Sequence, residues 1–159
     1  VSGDDWHLEA IHTPGHMGNH LCFAWGARLF SGDHVMGWAS SLISPPDGDM
    51  GAYMASLARL GNRNWQEFHP GHGALITDPA ARLNELATHR RAREAAILGA
   101  LLPGRRSIAQ IVAEVYCETP GHLHPAAARN VLAHLLDLAE RGLVGAAPTP
   151  GPDALFWRT

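Results

Sequence analysis

Three short motifs constrain this chain more than anything else in it. His12-Thr13-Pro14-Gly15-His16, Ser31-Gly32-Asp33-His34 and His69-Pro70-Gly71-His72-Gly73 each set a metal-ligating side chain beside glycine or proline. Each also follows a segment that reads as a strand. A divalent metal needs nitrogen and oxygen donors arriving preorganised from separate elements, and loops at strand ends supply them. Any one motif alone is weak. Three in this order, separated by apolar runs, are a specific signal.

The local chemistry around each motif follows from its turn residues. Trp6 to His12 is a short, partly alternating segment, read as a strand leading into the Thr13-Pro14-Gly15 bend, so His16 is presented at the exit of a turn. Leu21 to Trp25 is a continuous apolar run, read as a buried strand and turned by Gly26-Ala27 into Arg28 to Ser31, a hairpin ending at Gly32-Asp33. Asp49 caps a helix with a core-facing stripe at Met50, Tyr53, Met54, Leu57 and Leu60, and Gly61-Asn62 ends it. Trp65 to Phe68 reads as a strand delivering His69 and His72. Asp78-Pro79 starts a helix through Leu83, Leu86, Arg90 and Ile97 towards Leu102.

The pattern changes at Pro103-Gly104. Ser107 caps a helix with Ile108, Ile111, Val112 and Val115 at helical spacing, and Thr119-Pro120-Gly121 breaks it. Pro125 opens another with Val131, Leu132, Leu135, Leu136 and Ala139, stopped by Gly142. Leu143 to Ala146 and Ala154 to Arg158 read as two strands around a Pro-Gly-rich turn. Three helices followed by a hairpin is a winged-helix arrangement.

Composition closes off several classes of function. All twelve basic residues are arginine, which removes Schiff-base chemistry and any lysine nucleophile. The formal net charge of −3 argues against a generic polyanion binder. No run is long enough to span a bilayer, and Val1 to Asp5 reads as a polar turn, not a signal sequence. Cys22 and Cys117 are far apart and read as small core residues, which suits a reducing cytoplasm.

The three motifs resemble the C-terminal half of a metallo-β-lactamase-fold hydrolase, the superfamily that includes glyoxalase II. The resemblance implies that His16, Asp33 and His72 bind metal, with Asp33 bridging two metals and counted as the catalytic carboxylate. A carboxylate suits bridging because its two oxygens reach two cations and offset part of their charge. The family's H-x-H-x-D-H signature occurs nowhere among the eleven histidines. The expected fold is therefore α+β: half of an αββα sandwich over residues 1–85, followed by a winged-helix domain over 86–159. The expected activity is metal-dependent hydrolysis of an ester, thioester, lactone, lactam or phosphodiester, with two zinc ions in the intact enzyme. Zinc binding by this chain, read as a truncated and inactive part, is expected to be weak or absent. A half sandwich leaves a sheet edge and an apolar face uncovered, so the expected partners are a small-molecule substrate and either the missing N-terminal half or a second copy of this chain.

The other histidines carry blander readings. His69 lies outside the Pro-Gly-His-Gly position, so His72 is the preferred ligand. His12 and His34 read as supporting or packing groups beside the ligands; His7 and His20 as surface or edge residues; His122 and His124 as capping or exposed. Trp38 and the Ser44-Pro45-Pro46-Asp47 stretch follow Asp33 and are placed, by position only, on a substrate wall. A second class of function is a winged-helix binding or dimerisation module. Nucleic acid is the less favoured partner, because the candidate recognition helix pairs Arg129 and Arg141 with Asp137 and Glu140 and is otherwise mostly apolar.

Overall fold

A computed structural model describes residues 1–159. The chain forms two compact units, Val1–Ser41 with Asp47–Thr88, and Leu42–Pro46 with His89–Thr159. The division, between Thr88 and His89, falls inside a single long helix, α2 (Pro79–Ala100). The short Leu42–Pro46 segment belongs with the second unit, an arrangement that no local pattern in the sequence announces.

The first unit is built on one sheet of four strands: β1 (Glu9–His12), β2 (Leu21–Trp25), β3 (Arg28–Gly32) and β4 (Glu67–Pro70), in that order. The first three run antiparallel, and β4 pairs parallel with β3, so a crossover is required. Helix α1 (Met50–Gly61) lies on that crossover. Asp49 caps it, its carboxylate accepting from the Ala52 amide at 2.7 Å. Strand β4 begins two residues later than the apolar run around Trp65 suggests; the Trp65 ring instead donates its indole N–H to the Leu60 carbonyl and stacks edge-on against Phe68.

Alternation along the sheet separates two faces. Cys22, Ala24, Leu29 and Phe68 are buried, as are Tyr53, Leu57 and Leu60 of α1. The opposite face exposes Leu21, Phe23, Trp25 and Phe30. Trp25 and Phe30 line a cleft of about 300 Å³ with Trp6 and Leu8. The uncovered apolar face expected from the sequence is there.

The second unit is a three-helix and three-stranded assembly. It comprises the end of α2, α3 (Ile108–Val115), α4 (His124–Glu140) and a sheet ordered β5-β7-β6, from Arg106–Ser107, Leu155–Arg158 and Val144–Ala147. Ser107 and Gln110 form a reciprocal capping box at the start of α3. Ile97, Leu101, Ile111, Val131, Leu135, Leu138 and Phe156 form the core. The two-residue β5 is too short to leave a periodic signature. One expectation fails: Cys22 is buried but Cys117 is exposed, because α3 ends at Val115 and leaves it in the following turn. No helix is long and apolar enough to cross a membrane.

Candidate metal centre

The three motifs occupy three loops at one end of the first sheet. His16 leaves β1 through a turn in which Gly15 adopts φ 141°, and a side chain at Gly15 would run into the backbone of Tyr53. That glycine lets the turn pack directly against α1. The α1 residue Ser56 donates to the Pro14 carbonyl at 2.8 Å, and Arg59 donates to the His12 carbonyl. The Asp49 amide donates to Gly15 O at 2.9 Å. The His16 loop is therefore held by helix α1 and its cap.

Asp33 follows β3 after Gly32, whose φ of 53° turns the chain out of the sheet. The hydroxyl of Ser41 donates to the carbonyls of Asp33 and His34. His72 follows β4, and its Nε2 stands 3.5 Å from Asp33 Oδ1. A Cβ at Gly71 would lie 2.6 Å from that same oxygen, so only glycine permits the approach. Gly73 has φ 96°, and the Gly37 amide donates to the His72 carbonyl at 3.0 Å. Trp38, 72% exposed, packs beside Gly73, so its loop borders the His72 loop.

His20 differs from its expected surface role. It is buried, its Nδ1 lies 2.9 Å from Thr13 Oγ1, and its ring sits 6.5 Å from that of His16 and 5.6 Å from that of His34. Burial first, and the neighbouring His16 second, hold its pKa below the ordinary histidine value, while Asp33 acts in the opposite sense. His16 and His20 flank one loop, which folds back through the Thr13–His20 backbone bond. His34 is fully buried with neither ring nitrogen partnered, stacked on Tyr53, and burial pushes its pKa down to about 3. Its packing role matches expectation. His12 is exposed and its Nε2 lies 2.9 Å from Gly18 O. His69 pairs with Glu67 at 3.1 Å, and His124 caps the turn at Thr119 O.

The structure thus brings Asp33 and His72 together and sets His16 beside His20, which senses both His16 and Asp33. The donor types, two imidazoles and a carboxylate, suit a divalent ion of intermediate hardness. No group of three His, Cys, Asp or Glu side chains forms a finished metal cluster. The set is partial.

Residues 107–149 match the beta-lactamase associated winged helix domain. The chain is 35% identical over 139 residues to the beta-lactamase-like protein 2 homolog of Drosophila melanogaster, covering 85% of this chain and 46% of that protein. It is 35% identical over 101 residues to the atrochrysone carboxyl ACP thioesterase of Aspergillus chevalieri, covering 62% of this chain and 32% of that protein. A crystal structure of a metallo-beta-lactamase family protein from Thermus thermophilus superposes with a TM-score of 0.84 at 25% identity, covering all of this chain and 52% of that one. The chain is a metallo-β-lactamase-fold protein with a winged-helix domain. It spans about half the length of the curated relatives that match most of it.

Proposed function

We propose that this chain supplies the His16, Asp33 and His72 side of a metal-dependent hydrolytic site. The observation that carries the reading is the approach of Asp33 Oδ1 to His72 Nε2 across two loops shaped by Gly32, Gly71 and Gly73. An exposed loop whose backbone is constrained to bring a carboxylate and an imidazole together has no packing reason to do so. A divalent metal held by these residues would supply a water of pKa roughly 7 and polarise the oxygen of the scissile group. In the chain itself, His16 and His72 would be the imidazole donors to such an ion and Asp33 the carboxylate donor. Ser41 fixes the Asp33 loop through its carbonyl, and His34 fills the space behind it against Tyr53. Zinc is the ion proposed, and three donors alone hold it weakly.

The substrate class proposed is a carboxylic thioester or ester. It rests on a relative whose name specifies an acyl-carrier thioesterase, and Trp38 is assigned to the substrate wall because it borders the His72 loop. The exposed Leu21, Phe23, Trp25 and Phe30 face is assigned to the complementary half of the sandwich, since a protein of the same fold continues for about as many residues again. A second copy in its place would appear as a dimer by light scattering.

Nucleic acid stays the less favoured partner of the winged-helix unit, because four of its arginines are engaged within it: Arg141 with Glu94 and Asp137, Arg106 with Glu114, Arg93 with Val115 O and Tyr116, and Arg105 over Trp157. Zinc affinity by competition with a chromophoric chelator tests the site. His16→Ala, Asp33→Ala and His72→Ala should each weaken binding at least tenfold; affinities equal to that of the unaltered chain would reject the reading.

A further inference from the structure

His20 stands beside the proposed ligands without being one of them, and its ring is anchored at one end. Nδ1 lies 2.9 Å from Thr13 Oγ1, and the Thr13 amide donates to the His20 carbonyl at 2.9 Å. Thr13 is fully buried, and its hydroxyl lies 3.2 Å from Cys22 Sγ in β2. Two proton arrangements satisfy this anchor. In one the Thr13 hydroxyl donates to Nδ1, and the ring proton sits on Nε2. In the other Nδ1–H donates to Thr13, and Nε2 carries a lone pair.

The surroundings of Nε2 choose between them. This nitrogen lies against Gly32, the residue before Asp33, where a Cβ would come within 2.9 Å of it. The ring stands edge-on to His16, with centroids 6.5 Å apart. Nε2 makes no hydrogen bond to the protein, yet it is not sealed in the core as both ring nitrogens of His34 are. The Asp33 carboxylate is near enough to act on the ring and favours positive charge there. A lone pair beside a carboxylate is repelled, whereas an N–H is attracted. His34 shows what a purely packed histidine looks like here; His20, held at one nitrogen and open at the other, differs from it. Asp33 in turn meets His72 at 3.5 Å, and a ligating carboxylate is ordinarily held by a further hydrogen bond from a group that does not itself bind metal.

We propose that His20 is a positioning residue for the candidate metal centre: Thr13 fixes its ring, and its Nε2–H serves the Asp33 carboxylate as donor. The proposal rests on the metal-site reading given above, and every residue in it belongs to the first unit. A carboxylate held in this way has less freedom to lose when it binds an ion, so the effect is read in metal affinity. A purely structural His20 would be replaced without loss by an apolar side chain of similar bulk.

The test uses the whole chain, with His20→Leu, His20→Gln and Thr13→Val. Long-range proton–nitrogen NMR gives the His20 tautomer, the carbon shift of the Asp33 carboxyl reports its contacts, and zinc affinity is measured in parallel. In the zinc-free chain the His20 proton should sit on Nε2. His20→Leu should move the Asp33 carboxyl resonance and weaken zinc binding by about tenfold, the lower end for groups that orient metal ligands. His20→Gln keeps an N–H donor of similar reach and should hold both close to those of the unaltered chain. Thr13→Val keeps the shape of residue 13 without its hydroxyl; it should mix the two tautomers and weaken zinc binding by less. That variant decides in place of His20→Leu should the latter lose amide protection along β1 and β2. A proton on Nδ1, or an unchanged zinc affinity in the deciding variant, overturns the proposal. Equal losses in His20→Leu and His20→Gln overturn it too, because they mark a ring required for its shape or as a ligand. Should Asp33→Ala bind zinc like the unaltered chain, the metal reading fails, while the tautomer and the Asp33 carboxyl shift still decide whether His20 serves Asp33.

Discussion

His134 lies in the core of the second unit, 1% exposed, and neither of its ring nitrogens has a hydrogen-bond partner. Burial lowers its pKa from 6.5 to about 3, and the positive charge of Arg90 together with His89 and Arg141 adds to the effect. The sign is fixed by linkage. Between pH 6.5 and 3 the unfolded chain binds a proton at this residue that the folded chain refuses, so stability falls as the pH falls through that window. Each pH unit is worth about 1.4 kcal/mol, so at pH 5 the loss amounts to about 2 kcal/mol. Replacing the ring by leucine of similar bulk removes this proton linkage and the unpaired polar atoms, whose burial costs about 1 kcal/mol or more. His134→Leu should therefore be more stable by about 1 kcal/mol at pH 7 and by about 3 kcal/mol at pH 5. Urea unfolding at both pH values, with amide exchange along α4 to localise the change, measures it. A stability difference that stays constant with pH would refute the reasoning, because it would mean that His134 is paired or already charged in the folded chain.

Three further outcomes follow from the same structure. Gly71→Ala places a methyl group 2.6 Å from Asp33 Oδ1; the Asp33 and His72 NMR resonances should shift and zinc affinity should drop at least tenfold, whereas unchanged affinity would separate that approach from metal binding. Cys117 is exposed while burial pushes the buried Cys22 thiol up to about 11, so a maleimide at pH 7 should add once to the folded chain, at Cys117, and twice only after denaturation. Ser107→Ala removes one half of the α3 capping box and should cost about 1 kcal/mol, with exchange accelerated first at the α3 N-terminus; an unaffected unfolding midpoint would count against it.

The parts of this molecule that are legible in the sequence are those set by local chemistry. Pro14-Gly15, Gly32 and Gly73 mark backbone positions that favour such residues, Gly71 leaves room for Asp33 Oδ1, and together they mark the ligand loops. Helices α1, α3 and α4 begin close to their caps or prolines for the same reason. The apolar run Leu21-Cys22-Phe23-Ala24-Trp25 announces a strand but reads as buried on both faces, whereas only Cys22 and Ala24 face the core and Leu21, Phe23 and Trp25 are exposed. What escapes depends on residues that meet across long stretches of chain. His20 reads as a surface residue because nothing local reveals that Thr13 and His34 enclose it. The assignment of Leu42–Pro46 to the second unit depends on Asn130 and Arg129, which carry no motif. Cys117 reads as a core residue because Val115 and Tyr116 beside it pack against the core, whereas α3 ends at Val115 and leaves Cys117 exposed in the following turn.

Whether His16, Asp33 and His72 ligate a metal is tested most directly by zinc-edge anomalous diffraction from a crystal of this chain equilibrated with zinc. The expected result is a peak at about 2.0–2.2 Å from an Asp33 oxygen and the His72 imidazole, with His16 the next donor. A peak instead at His69 and Glu67, or at His122 and His124, with none beside Asp33, would contradict it.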